Sequence, residues 1–363
     1  MINESYYVPV NINYKKGTTL TGSVELSVLI SETASATKIY TSLQQVQSDY
    51  LDGAELDAAT IYFNNGGKKL LIFQKDSLDT DAATIAALGA AYTDFIWVSY
   101  VESKTVEEIK TIANALKSLN QQLPKFLAIT TDTANAPTDI AAEGLTNVAL
   151  LYSTEDTVTP YSAIVIPAYF SGIDLAQANS LKSIVHTVVT GMTDAEVTGT
   201  ELTTLVEGNW NVIVDVAGRF DIIDGGKMCD GQPIHSAFGF ALFKKDCENT
   251  VMDLLVQKLP YENSSNAVIE NALTQICNRY VTNGLIGTQR IYNQPTQNVT
   301  YNNVQYTTIE HNQALTNGYY IYSIPISVAT VSDSSIGRIP PIYIYAVIND
   351  VIRIVTITGE VSK

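Results

Sequence analysis

The segment from Lys68 to Ser153 limits the fold most strongly, because short apolar runs alternate there with helical patterns. The windows "DTDAATIAALGAAY" and "SKTVEEIKTIANALKSLNQQL" have helical periodicity, and a short helix is expected near Thr138–Glu143. The apolar runs of strand length are "KKLLIFQ", "DFIWVSYV", "PKFLAITTD" and "NVALLYS". Strands that alternate with helices form βαβ units, so we predict a parallel sheet covered by helices on both faces.

The remainder of the chain has a mixed pattern. "NWNVIVDVAGRFDIIDGGKMCDGQPI" indicates strands and turns, whereas "ENTVMDLLVQKL" and "NAVIENALTQICNRYVTNG" indicate helices. After Thr288 the sequence is rich in strand patterns. The predicted fold class is therefore α/β plus α+β, with a parallel βαβ-type sheet in the N-terminal half, a mixed α+β assembly domain in the C-terminal half and extended β arms at both termini. We place an arm at 1–22, an α/β domain at 23–200, an α+β domain at 201–335 and a β-hairpin arm at 336–363.

Both chain ends have the alternation of β-strands. "SYYVPVNINY" contains Pro9, which is typical of an edge or added strand. Near the other end, Ile342–Ile348 and Val351–Thr358 flank Asn349-Asp350 as the strands of a hairpin would. The segments Lys15–Gly22 and Ser332–Pro341 are suited to be hinges.

We expect these ends to pair with another copy of the chain, because exposed apolar strands need a partner. Two alternatives remain: the closing hairpin belongs to its own domain, or the two ends pair with each other within one chain. The residues predicted to form the inter-subunit strand exchange are Val8, Val10, Ile12, Tyr14, Ile342, Ile344, Ile352, Ile354 and Ile357.

The sequence contains no convincing catalytic constellation. The phosphate-binding patterns GxGxxG and GxxxxGK[ST] and the nucleophile elbow GxSxG do not occur. The three histidines, His186, His235 and His311, lack zinc-ligand spacing, and Cys229 near His235 is a weak pattern for a nucleophile and its base. We therefore predict that the protein is not an enzyme and holds no metal and no cofactor.

The composition excludes two classes of partner. Lys and Arg number 21 against 37 Asp and Glu, so the net charge of −16 argues against binding to nucleic acid or to an anionic membrane. The 21 tyrosines suit surfaces that are half buried in interfaces. Three cysteines without a pairing pattern indicate free thiols, and the N-terminus lacks the pattern of a signal peptide, so we expect folding in a cytoplasm.

Three segments of the C-terminal half resemble the contractile tail sheath proteins of myophages. They are "GQPIHSAFGFALFKKDCENTVMDLLVQKLPY", with a Gly turn, an apolar strand and a helix, "QKLPYENSSNAVIENALTQICNRYVTNGLIG", with a Pro-Tyr turn before an amphipathic helix, and "SSIGRIPPIYIYAVINDVIRIVTITGEVSK". The resemblance extends from about Asn209 to Lys363.

This resemblance implies a subunit that polymerises with other copies of itself, as hexameric rings in a helical lattice around a tail tube. It implies contraction from a metastable extended state, contacts to tail tube, baseplate and tail terminator proteins, and a place in the virion tail after assembly in the bacterial host cytoplasm. A related phage-derived injection particle is also compatible. The alternatives are another self-assembling phage or surface-layer protein and, less favoured, an α/β enzyme.

Overall fold

The computed structural model describes residues 25–119, 124–153, 160–218, 220–292 and 294–349. The predicted N-terminal arm at 1–22 and the predicted strand Val351–Thr358 lie outside these residues.

A six-stranded sheet organises the N-terminal half, with strands in the spatial order second, third, first, fourth, fifth and sixth. All neighbouring strands are parallel except the second, which pairs antiparallel with the third. This confirms the predicted parallel sheet. The strands are β1 Leu26–Ser31, β2 Lys38–Tyr40, β3 Lys69–Gln74, β4 Phe95–Tyr100, β5 Phe126–Thr131 and β6 Val148–Tyr152.

Helices cover both faces of this sheet. They are α1 Leu43–Asp49, α2 Ala54–Asn64, α3 Asp81–Ala91, α4 Val106–Ser118, α5 Ala136–Ala142 and α6 Val165–Gly172. Thr80 is the N-cap of α3, and Thr105 forms a capping box with Glu108 at the start of α4. On one face α3, α4 and α5 pack against the sheet, whereas α2 and α6 pack on the other.

The second half combines helices with short antiparallel strand pairs. Its elements are α7 Gly199–Glu207, β7 Val212–Val216, β8 Phe220–Asp224, α8 Ile234–Val256, α9 Asn263–Thr282, β9 Arg290–Ile291, β10 Gln297–Tyr301, β11 Val304–Ile309, β12 Ala314–Leu315, β13 Tyr319–Ser323, α10 Val331–Ser335 and β14 Ile342–Ala346. The pairs are β7–β8, β9–β12, β10–β11 and β13–β14.

One hydrophobic core continues from the sheet into this second half. The ring of Trp97 on β4 stacks on that of Phe170 on α6 at 5.8 Å, and the Phe170 ring is 4.9 Å from that of Phe238 on α8. Buried aromatic contacts therefore connect the two sides of the domain boundary that we place at residue 200. The boundary itself stays a prediction.

The apolar strand expected within "GQPIHSAFGFALF" is wrong, because α8 begins at Ile234 and includes this segment. The buried residues of α8 recur at the spacing of a helix, and they include Ile234, Phe238, Ala241 and Leu242. Gly239 allows close packing, since a Cβ atom there would lie 2.5 Å from side-chain atoms of the neighbouring segments. This packing favours the helix over the strand preference of the aromatic residues.

Lys125, directly before β5, is a buried lysine that is held by neutral groups. It is 2% exposed, and its Nζ donates to the carbonyl of Thr93 at 2.7 Å and to that of Phe95. The centroid of the Phe95 ring is 4.0 Å from Nζ. Burial lowers the pKa of Lys125 to about 7.

The free energy of unfolding is therefore expected to rise between about pH 7 and pH 8.5. In this range the unfolded chain keeps a proton on Lys125 that the folded protein releases, so raising the pH favours the folded state. The expected gain is about 1–2 kcal/mol. Urea denaturation across this range measures it, with Lys125→Met as the control that should lack the increase. An equal slope in both proteins would contradict the prediction.

Candidate assembly surface

The β13–β14 pair, here called the tyrosine ribbon, has two faces of different character. Tyr320 pairs with Tyr345 and Tyr322 with Tyr343. Ile321 pairs with Ile344 between them. Side chains alternate along a strand, so the four tyrosines share one face and the isoleucines share the other. The sequence patterns "GYYIYS" and "PIYIYA" produce this division directly.

The isoleucine face of the tyrosine ribbon packs on the helices. Ile344 is 7% exposed and belongs to the core that includes Ile269 of α9. Polar side chains of α9 also run along β13. Asn278 accepts a hydrogen bond from the Tyr319 hydroxyl at 2.7 Å, and Asn266 donates to the carbonyl of Ile324 at 2.8 Å.

The opposite face contacts the remaining strands of the C-terminal half. Tyr345 is buried there with its ring 6.0 Å from that of Tyr292, in a cluster that also contains Val299 of β10 and Ile309 of β11. Burial raises the pKa of Tyr345 to about 12, so this phenol stays neutral at physiological pH. Both faces of the tyrosine ribbon are thus occupied by the chain itself.

Unlike its faces, the edges of the tyrosine ribbon are not covered by another strand of the described residues. The N–H of Val347 donates to the carbonyl of Gly318, and the N–H of Ile324 donates to the carbonyl of Pro341, so the backbone groups at both ends of the pair bond across it. These groups alternate in direction along an antiparallel strand, so those of Ile321 and Ala346 point away from the pair. Within the described residues, no further strand joins either edge.

One outward group of β13 already has a side-chain partner. The N–H of Ser323 points away from β14 and donates to Glu270 Oε1 at 3.0 Å. Glu270 lies on α9, so the helix reaches the outer edge of the tyrosine ribbon at this end.

The structure locates only part of the predicted strand-exchange set. Ile342 and Ile344 lie in β14 and pair with β13 of the same chain, as in the alternative that the closing segment belongs to its own domain. Consequently, Ser332–Pro341 connects two paired strands of the body and is not the hinge of an arm. The other residues of the set lie outside the described residues: Val8, Val10, Ile12, Tyr14, Ile352, Ile354 and Ile357.

Sequence reasoning missed β13 as the partner of β14 and missed the polar row on α9. A signal for the pairing was present, since both strands alternate Tyr with Ile over the same length. Part of the row was also readable, because Asn266 and Glu270 are four residues apart and so share one face of a helix.

At the carboxyl ends of the parallel strands, where open α/β sheets bind ligands, the protein places its own ion pairs. Asp81 Oδ1 accepts from Lys75 Nζ at 2.9 Å and from Lys104 Nζ at 3.2 Å. Lys75 also pairs with Glu32 at 2.8 Å. Asp81 and both lysines are 8% exposed or less. These residues give no support to a ligand site at this edge.

The three cysteines and His235, which are candidate reactive residues in the sequence, are buried in the fold. The thiols of Cys229, Cys247 and Cys277 are buried and free, and burial raises the pKa of each. The Nε2 atom of His235 lies 3.1 Å from the carbonyl oxygen of Asn349.

The described residues contain neither a metal-binding cluster nor a membrane-spanning helix. Within the part of the chain that the structure describes, no group of three or more His, Cys, Asp or Glu is arranged to hold a metal ion. None of the helices in those residues is both long and apolar enough to cross a membrane.

The C-terminal part of the chain is similar to a known family. Residues 234–361 match the family described as E217 tail sheath protein gp31-like, C-terminal domain. This range begins at the first residue of α8 and includes the tyrosine ribbon. No curated protein matches the chain.

Solved structures share the fold over nearly the whole chain. A chain of the anti-feeding prophage baseplate, determined with six-fold symmetrisation, has a TM-score of 0.64 at 16% identity, covering 97% of this chain and 98% of its own length. The anti-feeding prophage helical sheath in its contracted state gives 0.62 at 16% identity, again over 97% and 98%. The contracted sheath complex of PVC, an extracellular contractile injection system, gives 0.58 at 13% identity over 97% of both chains.

These matches confirm the resemblance seen in the sequence. Residues 234–361 match the C-terminal domain of tail sheath proteins, and the chain as a whole has the mixed α/β fold of sheath proteins of contractile injection systems.

Proposed function

We propose that this protein is the structural subunit of a contractile sheath. Subunits stack as hexameric rings around a tail tube, and the lattice shortens from a metastable extended state to drive the tube through the host envelope. The observation that carries the proposal is the tyrosine ribbon, whose faces are covered while its edges have no further strand among the described residues. Such edges can accept strands from neighbouring copies.

In this proposal the chain ends supply the incoming strands. Residues 1–22 form one arm, and the residues after Asn349 form the other. Main-chain hydrogen bonds hold neighbouring subunits together, while hinges outside the paired strands let each body rotate during contraction. The domain boundaries at 22 and 200 are retained, and the C-terminal arm begins after Asn349 instead of at residue 336.

The partners of this subunit are other copies of itself, the tail tube protein, and the baseplate and tail terminator proteins. It acts without catalysis, metal or cofactor, and it binds neither nucleic acid nor membrane. It is assembled in the bacterial host cytoplasm and works in a virion tail or a phage-derived injection particle.

Electron microscopy of the purified protein tests the proposal. Negative stain should show six-fold rings or tubes of constant diameter. A monodisperse monomer at high concentration, unchanged by time or salt, would contradict it.

Two truncations should separate the C-terminal arm from the body. A chain ending at Asn349 is expected to stay folded and to lose polymerisation, because it keeps β14 and loses only the proposed incoming strand. A chain ending at Pro341 also loses β14 and exposes the core around Ile321 and Tyr292, so it should unfold or aggregate. Thermal unfolding and microscopy of both variants provide the measurement. Normal tubes from the first truncation would exclude a C-terminal exchange arm.

A further inference from the structure

The chain stays hydrogen-bonded beyond β14, up to the last described residue of this segment. The N–H of Asn349 donates to the carbonyl of Leu285 at 2.8 Å, and the N–H of Gly287 donates to that of Val347 at 2.9 Å. Ile348 forms a bridge to Ile286 between these two bonds. Residues 347–349 are therefore held as a short strand against residues 285–287.

This short strand depends on the close approach of two glycines. A Cβ atom on Gly318, which has a φ of +81°, would lie 2.5 Å from the carbonyl oxygen of Gly287. Gly318 also accepts the hydrogen bond from the N–H of Val347. The backbone against which residues 347–349 lie is thus tightly packed, which leaves this segment little conformational freedom.

Two side chains from separate elements converge on Asn349. Arg290, on β9, donates through its guanidinium to Asn349 Oδ1 at 2.6 Å. His235, in the first turn of α8 and 2% exposed, has its Nε2 3.1 Å from the carbonyl oxygen of Asn349. Because Leu285 accepts from the amide, Asn349 is held through its N–H, its carbonyl and its side chain.

His235 also lies at the junction between the two halves of the chain. Its neighbour Ile234 donates its N–H to the carbonyl of Gly226 at 2.9 Å, directly after the β7–β8 hairpin. That hairpin is joined to the parallel sheet, since Tyr152 of β6 donates its N–H to the carbonyl of Asn211 at 2.8 Å. The contact between His235 and Asn349 therefore connects the sheet-bearing half to the point where residues 350–363 begin.

We propose that His235, Arg290 and Asn349 form an exit anchor, which fixes the direction in which residues 350–363 leave the body. The proposal rests on the proposed function, in which those residues pair with a neighbouring subunit. An arm with a fixed root reaches its acceptor edge in one orientation, whereas an arm with a loose root loses more conformational entropy on pairing. The exit anchor thus favours assembly, and it places the hinge of this arm after Asn349.

Variants that remove single contacts of the exit anchor in the full chain test this proposal. Arg290→Met and His235→Asn should accelerate hydrogen exchange of the Asn349 and Gly287 amides by about tenfold, the change expected for loss of one hydrogen bond. The protein concentration needed for tube formation should rise by a similar factor. His235→Gln, whose side-chain amide can reach the same carbonyl, should restore both quantities.

Arg279→Met is the matched control, because it removes a different arginine, one that pairs with Asp246 at 2.5 Å. Exchange at Leu127 in the parallel sheet reports whether each variant stays folded. Unchanged exchange at Asn349 in folded variants, or faster exchange with normal tube formation, would overturn the exit anchor. Failure of the wild-type protein to form tubes would instead overturn the proposed function, so the two results are distinguishable.

Discussion

Ala346→Pro is expected to prevent the formation of rings and tubes while the subunit stays folded. The N–H of Ala346 points away from β13, so proline removes a hydrogen-bond donor from the outer edge and none from the β13–β14 ladder. A strand that pairs with this edge then forms one main-chain hydrogen bond fewer and clashes with the proline ring. The concentration needed for assembly should rise by at least about tenfold. Negative-stain microscopy and sedimentation over a concentration series measure this effect.

Two controls make the result specific to the edge of the tyrosine ribbon. Ala346→Ser keeps the N–H and should assemble normally. Thermal unfolding of Ala346→Pro should resemble that of the wild-type subunit, because proline is tolerated at an edge position whose N–H faces outward. Normal tubes from a folded Ala346→Pro subunit would show that this edge accepts no strand.

Asp81→Ala is expected to cause the largest loss of stability of any single change considered. Asp81 is the shared partner of Lys75 and Lys104, and all three side chains are 8% exposed or less. Without the Asp81 carboxylate, the ammonium groups of Lys75 and Lys104 stay close together with little access to water. Each of them has then lost one ion-pair partner. Breaking a buried ion pair in this way costs about 3–5 kcal/mol. Urea denaturation followed by circular dichroism provides the free energy of unfolding.

Two further variants test whether the loss comes from unpaired buried charge. The triple variant Lys75→Met, Asp81→Leu, Lys104→Met removes the charges together and should recover much of the lost stability. Glu107→Ala breaks the exposed pair of Glu107 with Lys110 and should change stability little. A similar loss in the Asp81→Ala and triple variants would indicate that packing, and not charge, is the cause.

The segment from β3 to β6 was predictable because its signals are local, whereas β1, β2, α1 and α2 were not predicted. Each strand from β3 to β6 is a short apolar run, and the structure places each within the predicted segment. Thr80 and Thr105 cap the next helices through their own side chains. These features depend on residues within one or two turns of each other, so the sequence contains them without knowledge of the rest of the fold.

The apolar start of α8 was read as a strand because two kinds of preference conflict there. Aromatic residues such as Phe238 and Phe240 favour strands in isolation, whereas the burial of Ile234, Phe238 and Ala241 has helical spacing. Close packing of Gly239 on Leu181 and Leu285 adds a contact between distant segments. A single sequence does not reveal which preference is supported by such contacts.

The partner of the strand Ile342–Ala346 was likewise not predictable from the sequence alone. The alternation in Ile342–Ala346 identified a strand and its two faces, and the structure contains that strand. The choice of β13 as its partner depends on Tyr319–Ser323 being held along α9 by Asn278, Glu270 and Asn266. Pairing in the same chain and pairing with another copy use the same backbone groups, so the pattern of one strand does not distinguish them.

The amino-acid sequence alone was sufficient to predict a parallel sheet with covering helices, a C-terminal half similar to a tail sheath domain and a strand at Ile342–Ala346. Local periodicity and capping are sufficient for the sheet, its helices and this strand, whereas the similarity to a sheath domain rests on the resemblance of three segments. Only the three-dimensional fold settles which strands pair, that no further strand joins the tyrosine ribbon among the described residues, and where His235, Arg290 and Asn349 meet. Those outcomes depend on contacts between residues far apart in the sequence, because main-chain hydrogen bonds are alike at every position and only three-dimensional packing selects among them.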